Sequence, residues 1–245
     1  MPKNINMMQA RENEIARLVR LIDEKSKKFE EPKLILIGGY ALRAYVPFAR
    51  ATRDCDFVLQ KKNGWNLDEI KNWFSKDIVI EVFEKLDVSG FLRCIKTLKV
   101  DEKNVKVALD FMEGEVTGRN ERDKVRIDES FVVNSKKAKI RMADEEFEVY
   151  VPRYIDYMIL KIVSARPSDI RDIATMVWKK GIPKGINKRA EEIMPFPEVL
   201  VEKMKLMLLI ISDARFIHSW RGTFATKEFD EKAKRAVINK LNKLI

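Results

Sequence analysis

The sequence predicts an α+β protein in two parts: a mixed-sheet domain over residues 1–151, opened by a helix over 7–29, and a helical domain over 152–245. Three observations predict it. Apolar runs and strict alternation recur between Leu34 and Val151, which is the period of strands. Past Pro152 the apolar spacing widens to three and four residues, the period of helices. With 46% hydrophobic residues in 245, each part has enough apolar side chain for a core of its own.

In order along the chain, Met8, Ile15, Leu18, Val19 and Ile22 share one helix face, and Pro32 is expected to end that helix. Leu34–Ile37 reads as a buried strand, closed by Gly38-Gly39 as a tight turn into a short helix that stops before Pro47. A second strand begins at Asp54 and runs through Phe57-Val58-Leu59. Residues 66–74 read as a helix with Asn66 as N-cap and Asp68 and Glu69 in the first turn. Strands are expected near 78–83, 91–100 and 105–111, and a hairpin pairs 138–142 with 147–151 around a turn at 143–146. Helices then follow at 155–163, from Ser168 or Asp169 to about 180, and at 187–193, 198–219 and 227–244.

Composition narrows the function classes. No run of about 18 apolar residues exists, so no membrane-spanning helix is expected. Met1-Pro2-Lys3-Asn4 leads into a charged amphipathic segment rather than a signal peptide. Cys55 and Cys94 are the two cysteines and have no paired spacing; a reducing cytoplasm fits them and a disulfide framework does not. With His218 as the single histidine, histidine-based zinc or triad chemistry is improbable. The net charge is +10, and residues 178–245 hold 15 Lys/Arg against 8 Asp/Glu, an excess of seven. Such a basic half suits a polyphosphate or nucleic-acid partner, and equally a Lys- and Glu-rich heat-adapted surface. Phe196, Phe216, Trp220 and Phe224 in that region are either base-stacking or core residues.

The chemistry gathers around Asp54 and Asp56. Alternation points both to one face of their strand and Cys55 to the other. Two carboxylates side by side repel unless a cation sits between them, and Mg²⁺ or Mn²⁺ takes oxygen ligands. In Val105–Phe111, Val105, Val107, Leu109 and Phe111 share a face, while Lys106, Ala108 and Asp110 share the other. Placed beside the Asp54 strand, Asp110 supplies a third carboxylate, and small Ala108 leaves room above the sheet. Two cations about 3.5–4 Å apart can clamp the attacking and leaving oxygens of an in-line phosphoryl displacement.

Gly38-Gly39, a short helix, and then Arg50-x-Thr52-x-Asp54-x-Asp56 before an apolar residue resembles the nucleotidyltransferase fold of the DNA polymerase beta superfamily. Within it the likeness is to AbiEii-type proteins, the nucleotidyltransferase toxins of type IV toxin–antitoxin systems, and their archaeal relatives. Asp156 to Ile173 carries it further, with Lys161, Ala165, Arg166, Asp169 and Asp172 ahead of an apolar residue. The likeness covers roughly 33–180; the last 65 residues resemble no family we can name.

The resemblance implies that Gly38 and Gly39 let the backbone approach a donor triphosphate. Arg50 and Thr52 contact phosphate or brace the loop. Asp54 and Asp56 hold the metal carrying the triphosphate. Asp110 completes the metal site and helps deprotonate the acceptor hydroxyl. Lys161 neutralises phosphate charge, and Asp169 and Asp172, on one helix face, orient Lys161 or line the cleft. Tyr40 departs from the small residue often found after the glycine pair, which would narrow the nucleotide site. The expected function is metal-dependent transfer of a nucleoside monophosphate from an NTP to a hydroxyl. RNA, with a tRNA 3′ end among the candidates, is favoured over a protein or small-molecule acceptor, and an antitoxin is the expected partner if the toxin role applies. The alternatives are a non-catalytic nucleotide- or RNA-binding module on the same fold, and a helical RNA-binding protein with an accessory α/β domain.

Overall fold

The computed structural model describes residues 3–48 and 50–244, and the side chains of residues 3–6 lie outside that description, as do Met1, Pro2, Ala49 and Ile245. Among the described residues no helix is long and apolar enough to cross a membrane. The chain forms two compact units. One takes residues 1–44, 51–116 and 127–152; the other takes 45–50, 117–126 and 153–245. The segments 45–50 and 117–126, earlier in the chain than residue 152, belong with the helices.

The first unit opens with α1 (Lys3–Lys25), whose Ile15, Leu18, Val19 and Ile22 are fully buried. It ends well before Pro32, because Lys27, Lys28 and Phe29 adopt left-handed backbone. Ser26 closes the helix, its hydroxyl donating to Ile22 O and accepting from Phe29 N. There follow β1 (Ile35–Leu36), α2 (Gly38–Ala41) with a 3-10 turn over Leu42–Ala44, and β2 (Asp54–Leu59). Then come α3 (Leu67–Ile70), β3 (Ile78–Lys85), β4 (Gly90–Val100), β5 (Lys103–Glu113) and β6 (Glu115–Thr117), which leads into the other unit. The strand β7 (Lys124–Arg126) returns from it, and α4 (Glu129–Val133), β8 (Lys136–Met142) and β9 (Glu145–Val151) complete the list.

Seven of these strands form one sheet in the order β3-β4-β5-β2-β1-β9-β8. It is mixed: β2 runs parallel to β5 and β1 to β9, and the other pairs are antiparallel. One face carries Cys55, Phe57, Leu92, Cys94, Leu109 and Phe111, all buried. Phe57 stacks on Phe111 at 5.6 Å and on Phe29 at 6.0 Å. The helix expected over 66–74 is α3 continued by a 3-10 turn over Lys71–Trp73, and the Asn66 side chain does not cap it. Glu113, fully buried, does so instead: its carboxylate accepts from Asn66 N and Nδ2 and from Leu67 N. The β8–β9 turn is two residues, Ala143-Asp144, so Glu145 and Glu146 belong to the strand. The short helix α4 escapes a periodicity reading, although Asp128 caps it through Phe131 N at 2.7 Å.

The second unit holds α5 (Tyr154–Ser164), α6 (Pro167–Lys179), α7 (Ile186–Ile193), α8 (Glu198–Ser212), α9 (Phe216–Phe224) and α10 (Glu231–Asn242). The single helix expected over 198–219 is two, because Asp213 leaves the helical backbone and its carboxylate takes Arg215 N in a turn. Phe216, Trp220 and Phe224 are buried with Phe48, Trp178 and Phe229 in an aromatic cluster. They are core residues and not base-stacking platforms; of the four aromatics named from the sequence, only Phe196 is exposed. Buried Asp156 joins Arg153 and Arg189, and Lys203 reaches Asp123 at 2.7 Å.

Candidate active site

The strand β2 carries Asp54 and Asp56 on one face, with Cys55 fully buried on the other. Parallel pairing with β5 sets Asp54 against Ala108 and Asp56 against Asp110. All three aspartates therefore share one side of the sheet, on adjacent strands. Asp110 is 5% exposed. Burial pushes the Cys55 thiol far above its usual range and the Cys94 thiol up to about 12, so neither supplies a thiolate.

Gly38 explains the glycine turn. Its φ is +66°, and a Cβ there would lie 1.8 Å from Asp56 Oδ2 and 3.2 Å from Asp56 Cβ. Only glycine lets the chain pass this close to the carboxylate. Ile37 N donates to Asp56 O at 2.8 Å, fixing the turn to the strand. Thr52 Oγ1 donates to Asp54 O, so Thr52 braces the strand entrance. Tyr40 is buried beneath the Arg43 guanidinium and is a packing residue, contrary to the expectation that it narrows a nucleotide site.

Arginines surround these carboxylates. Arg93, directly across β4 from Asp110, donates Nε to Oδ1 at 2.8 Å and Nη2 to Oδ2 at 2.5 Å. The pair raises the guanidinium pKa further above its already high value, chiefly through that hydrogen bond. Arg11 donates to Lys106 O; burial and neighbouring Arg53 disfavour its charge, while Asp54 and Tyr40 favour it. Arg93 stands outside the motif, yet the hairpin that carries it is legible in the sequence. The two-residue turn Asp101-Glu102 between β4 and β5 sets Val100 against Lys103, and counting back in register brings Arg93 to Asp110.

Arg50, Lys161, Asp169 and Asp172 come together in the second unit. Lys161 Nζ lies 2.7 Å from Asp169 Oδ1 and 2.8 Å from Asp172 Oδ2. Arg50 grips Asp172 with Nε and Nη2, both at 2.8 Å. Ser164 and Arg166 donate to Asp169 Oδ2. Lys161 is 4% exposed. This is a different setting from the phosphate contact implied by resemblance, because the ammonium is enclosed and spends two of its three N–H groups on carboxylates. Burial opposes its charge, but Asp172 and Asp169 outweigh burial and raise its pKa. Burial also opposes the Asp169 carboxylate, and Lys161 and Arg166 outweigh it, holding Asp169 far below the usual carboxylate range. Arg50, Lys161 and Arg166 thus converge on the two carboxylates.

The family model for the nucleotidyl transferase AbiEii toxin of type IV TA systems matches residues 20–183. The chain belongs to that family. It is a nucleotidyltransferase, so its substrate is a nucleotide. No curated protein matches the chain in sequence. Among solved structures, a Helicobacter pylori protein assigned as a nucleotidyltransferase is 14% identical with TM-score 0.43, covering 92% of this chain and 95% of its own. JHP933 from Helicobacter pylori is 12% identical with TM-score 0.39, covering 92% and 89%.

A divalent cation fits part of this AbiEii site. Asp54 and Asp56 offer oxygens on one face, and Gly38 keeps side-chain bulk away from Asp56. Asp110 does not fit as it stands, because Arg93 takes both its oxygens. Among the described residues, no three His, Cys, Asp or Glu side chains stand in metal-holding geometry, Asp54, Asp56 and Asp110 included.

Proposed function

We propose that the protein transfers a nucleoside monophosphate from an NTP to a hydroxyl of RNA, a tRNA 3′ end being one candidate acceptor, in a Mg²⁺- or Mn²⁺-dependent reaction that serves a toxin role. The observation that carries this reading is the alignment of Asp54, Asp56 and Asp110 on one sheet face beside a turn where only glycine fits. Asp54 and Asp56 are the residues that would hold the cation, which would neutralise triphosphate charge.

The remaining work falls to the chain. Gly38 and Gly39 let a triphosphate approach the backbone. The acceptor oxygen attacks the α-phosphorus, a new P–O bond forms, the bond to the β-phosphate oxygen breaks and pyrophosphate departs. Asp110 receives the acceptor's proton once its oxygens are released from Arg93. Lys161 is a positioning residue: it fixes Asp172, and Asp172 fixes Arg50 two residues before Thr52. An RNA acceptor is supported by the net charge of +10 and by the excess of seven positive charges over residues 178–245.

The test is incubation with each α-³²P-labelled NTP, Mg²⁺ and total RNA. Label entering RNA in the wild type and lost in Asp54→Asn and Asp56→Asn supports the reading. Label entering protein instead overturns the acceptor assignment, and label in neither overturns the transfer.

A further inference from the structure

We propose that Arg93 occupies Asp110 in the resting enzyme and is exchanged for a divalent cation when that cation binds, a deepening that rests on the metal-dependent reading above. Both carboxylate oxygens of Asp110 are committed to one guanidinium, at 2.8 and 2.5 Å, in a fork that matches the carboxylate. A hard cation needs the same oxygens, and a positive guanidinium beside it would repel it. Arg93 and the cation are therefore alternatives at Asp110.

The sheet allows such an exchange without moving backbone. Arg93 and Asp110 are the fourth of eleven cross-strand pairs in a continuous antiparallel pairing, so their Cα positions are fixed. The Asp110 side chain is 7% exposed, while that of Arg93 is 35% exposed and long enough to swing away. The arginine is the mobile partner. Once released, it stands one strand from Asp110 with its full charge, facing the side where the triphosphate would lie. In its absence from Asp110, all three aspartates remain on the one sheet face where their register on β2 and β5 places them.

This differs from a general effect of positive charge, and the experiment separates the two. Mn²⁺ affinity is measured by electron paramagnetic resonance, without nucleotide, for wild type, Arg93→Ala, Arg93→Lys, Arg53→Ala and Asp54→Asn. Arg93→Ala is expected to bind Mn²⁺ at least about tenfold more tightly than wild type, since the cation no longer displaces a bidentate charge-assisted pair. Arg93→Lys keeps the charge but loses the fork, and is expected to fall between them. Arg53→Ala removes a nearby charge that does not hold Asp110, and is expected to change affinity less than about threefold. Equal gains in Arg53→Ala and Arg93→Ala, or no gain in Arg93→Ala while Asp54→Asn abolishes binding, would overturn the exchange and leave the metal reading standing. No Mn²⁺ binding by any variant would overturn both.

A wild-type measurement guards against a variant that misfolds. In ¹⁵N-arginine-labelled protein the Arg93 Nε–H resonance, assigned by its loss in Arg93→Lys, is expected to shift and lose its hindered rotation as Mg²⁺ is added. An unchanged resonance at saturating Mg²⁺ would refute the exchange.

Discussion

Gly38→Ala tests the join between turn and carboxylate, and Gly64→Ala supplies its control. Both glycines have left-handed backbone, φ +66° and +83°, so each alanine meets the same conformational cost of about 1–2 kcal/mol. They differ in what the new methyl meets. At Gly64 there is nothing within 4 Å; at Gly38 it lands 1.8 Å from Asp56 Oδ2, 2.7 Å from Cγ and 3.2 Å from Cβ. Turning the Asp56 carboxylate removes the first two contacts but not the third, so Asp56 must leave its rotamer and the turn must shift. An off-rotamer side chain adds about 0.5–1.5 kcal/mol, which brings Gly38→Ala to about 1.5–3.5 kcal/mol. At about 2–4 °C per kcal/mol for chains of this size, Gly38→Ala should melt about 1–6 °C below Gly64→Ala. Activity should separate them more sharply. Gly64→Ala should incorporate label at close to the wild-type rate, and Gly38→Ala should lose about 100-fold or more, the scale of a lost charge-stabilising group. Differential scanning calorimetry and the labelled-NTP assay measure the two quantities. Equal melting and equal activity for the two variants would refute the argument, since it rests on the one thing they do not share.

Lys161→Met leaves Asp169 and Asp172 buried without their shared cation and should destabilise the protein by about 3–5 kcal/mol in urea unfolding, whereas Arg166→Ala, at the exposed edge of the same cluster, should cost under about 1 kcal/mol. Asp169 has a depressed folded-state pKa, so its stabilisation is present above the ordinary carboxylate value of about 3.9 and is lost as pH falls below it toward the folded value. Lys161 has a raised one, so its contribution is present below about 10.4 and is lost as pH climbs past it. Stability measured against pH should therefore be flat between these limits and fall outside both, and Asp169→Asn should flatten the acid limb. Glu113→Ala removes the carboxylate that caps α3 through three N–H groups and should cost about 1–3 kcal/mol, read by urea midpoint.

The fold was legible wherever local period decides the structure. Alternation in Val105–Phe111 placed Asp110 on the polar face of β5, and the spacing of Ile15, Leu18, Val19 and Ile22 placed α1 against the sheet. What failed was decided by single side chains or by contacts far apart in sequence. Asn66 has the residue type of a cap, yet Glu113 outcompetes it from 46 positions away with two charged oxygens against one amide. Residues 198–219 contain no Gly or Pro to break a helix, yet one aspartate turning onto the backbone of Arg215 divides it. The segments 45–50 and 117–126 carry no compositional mark of the unit they join, because Tyr45 belongs there through stacking on Tyr157 and Asp123 through Lys203.

The site shows the same division in a sharper form. A motif names the residues that meet substrate, and says nothing of the counter-charges that keep them tolerable before substrate arrives. Carboxylates clustered for a cation repel one another, so the resting enzyme needs positive charge near them. In the first unit that charge includes Arg93, and in the second Lys161 and Arg50 do the same for Asp172. The two solutions differ in exposure, and exposure decides what each can do. Lys161 is enclosed, so its pairing is permanent and serves position. Arg93 is one-third exposed over a buried aspartate, so its pairing can be exchanged. A sequence motif lists Lys161 and omits Arg93, because a fixed partner recurs at fixed spacing in a helix pair, whereas a cross-strand partner is specified only through the register of the hairpin that carries it.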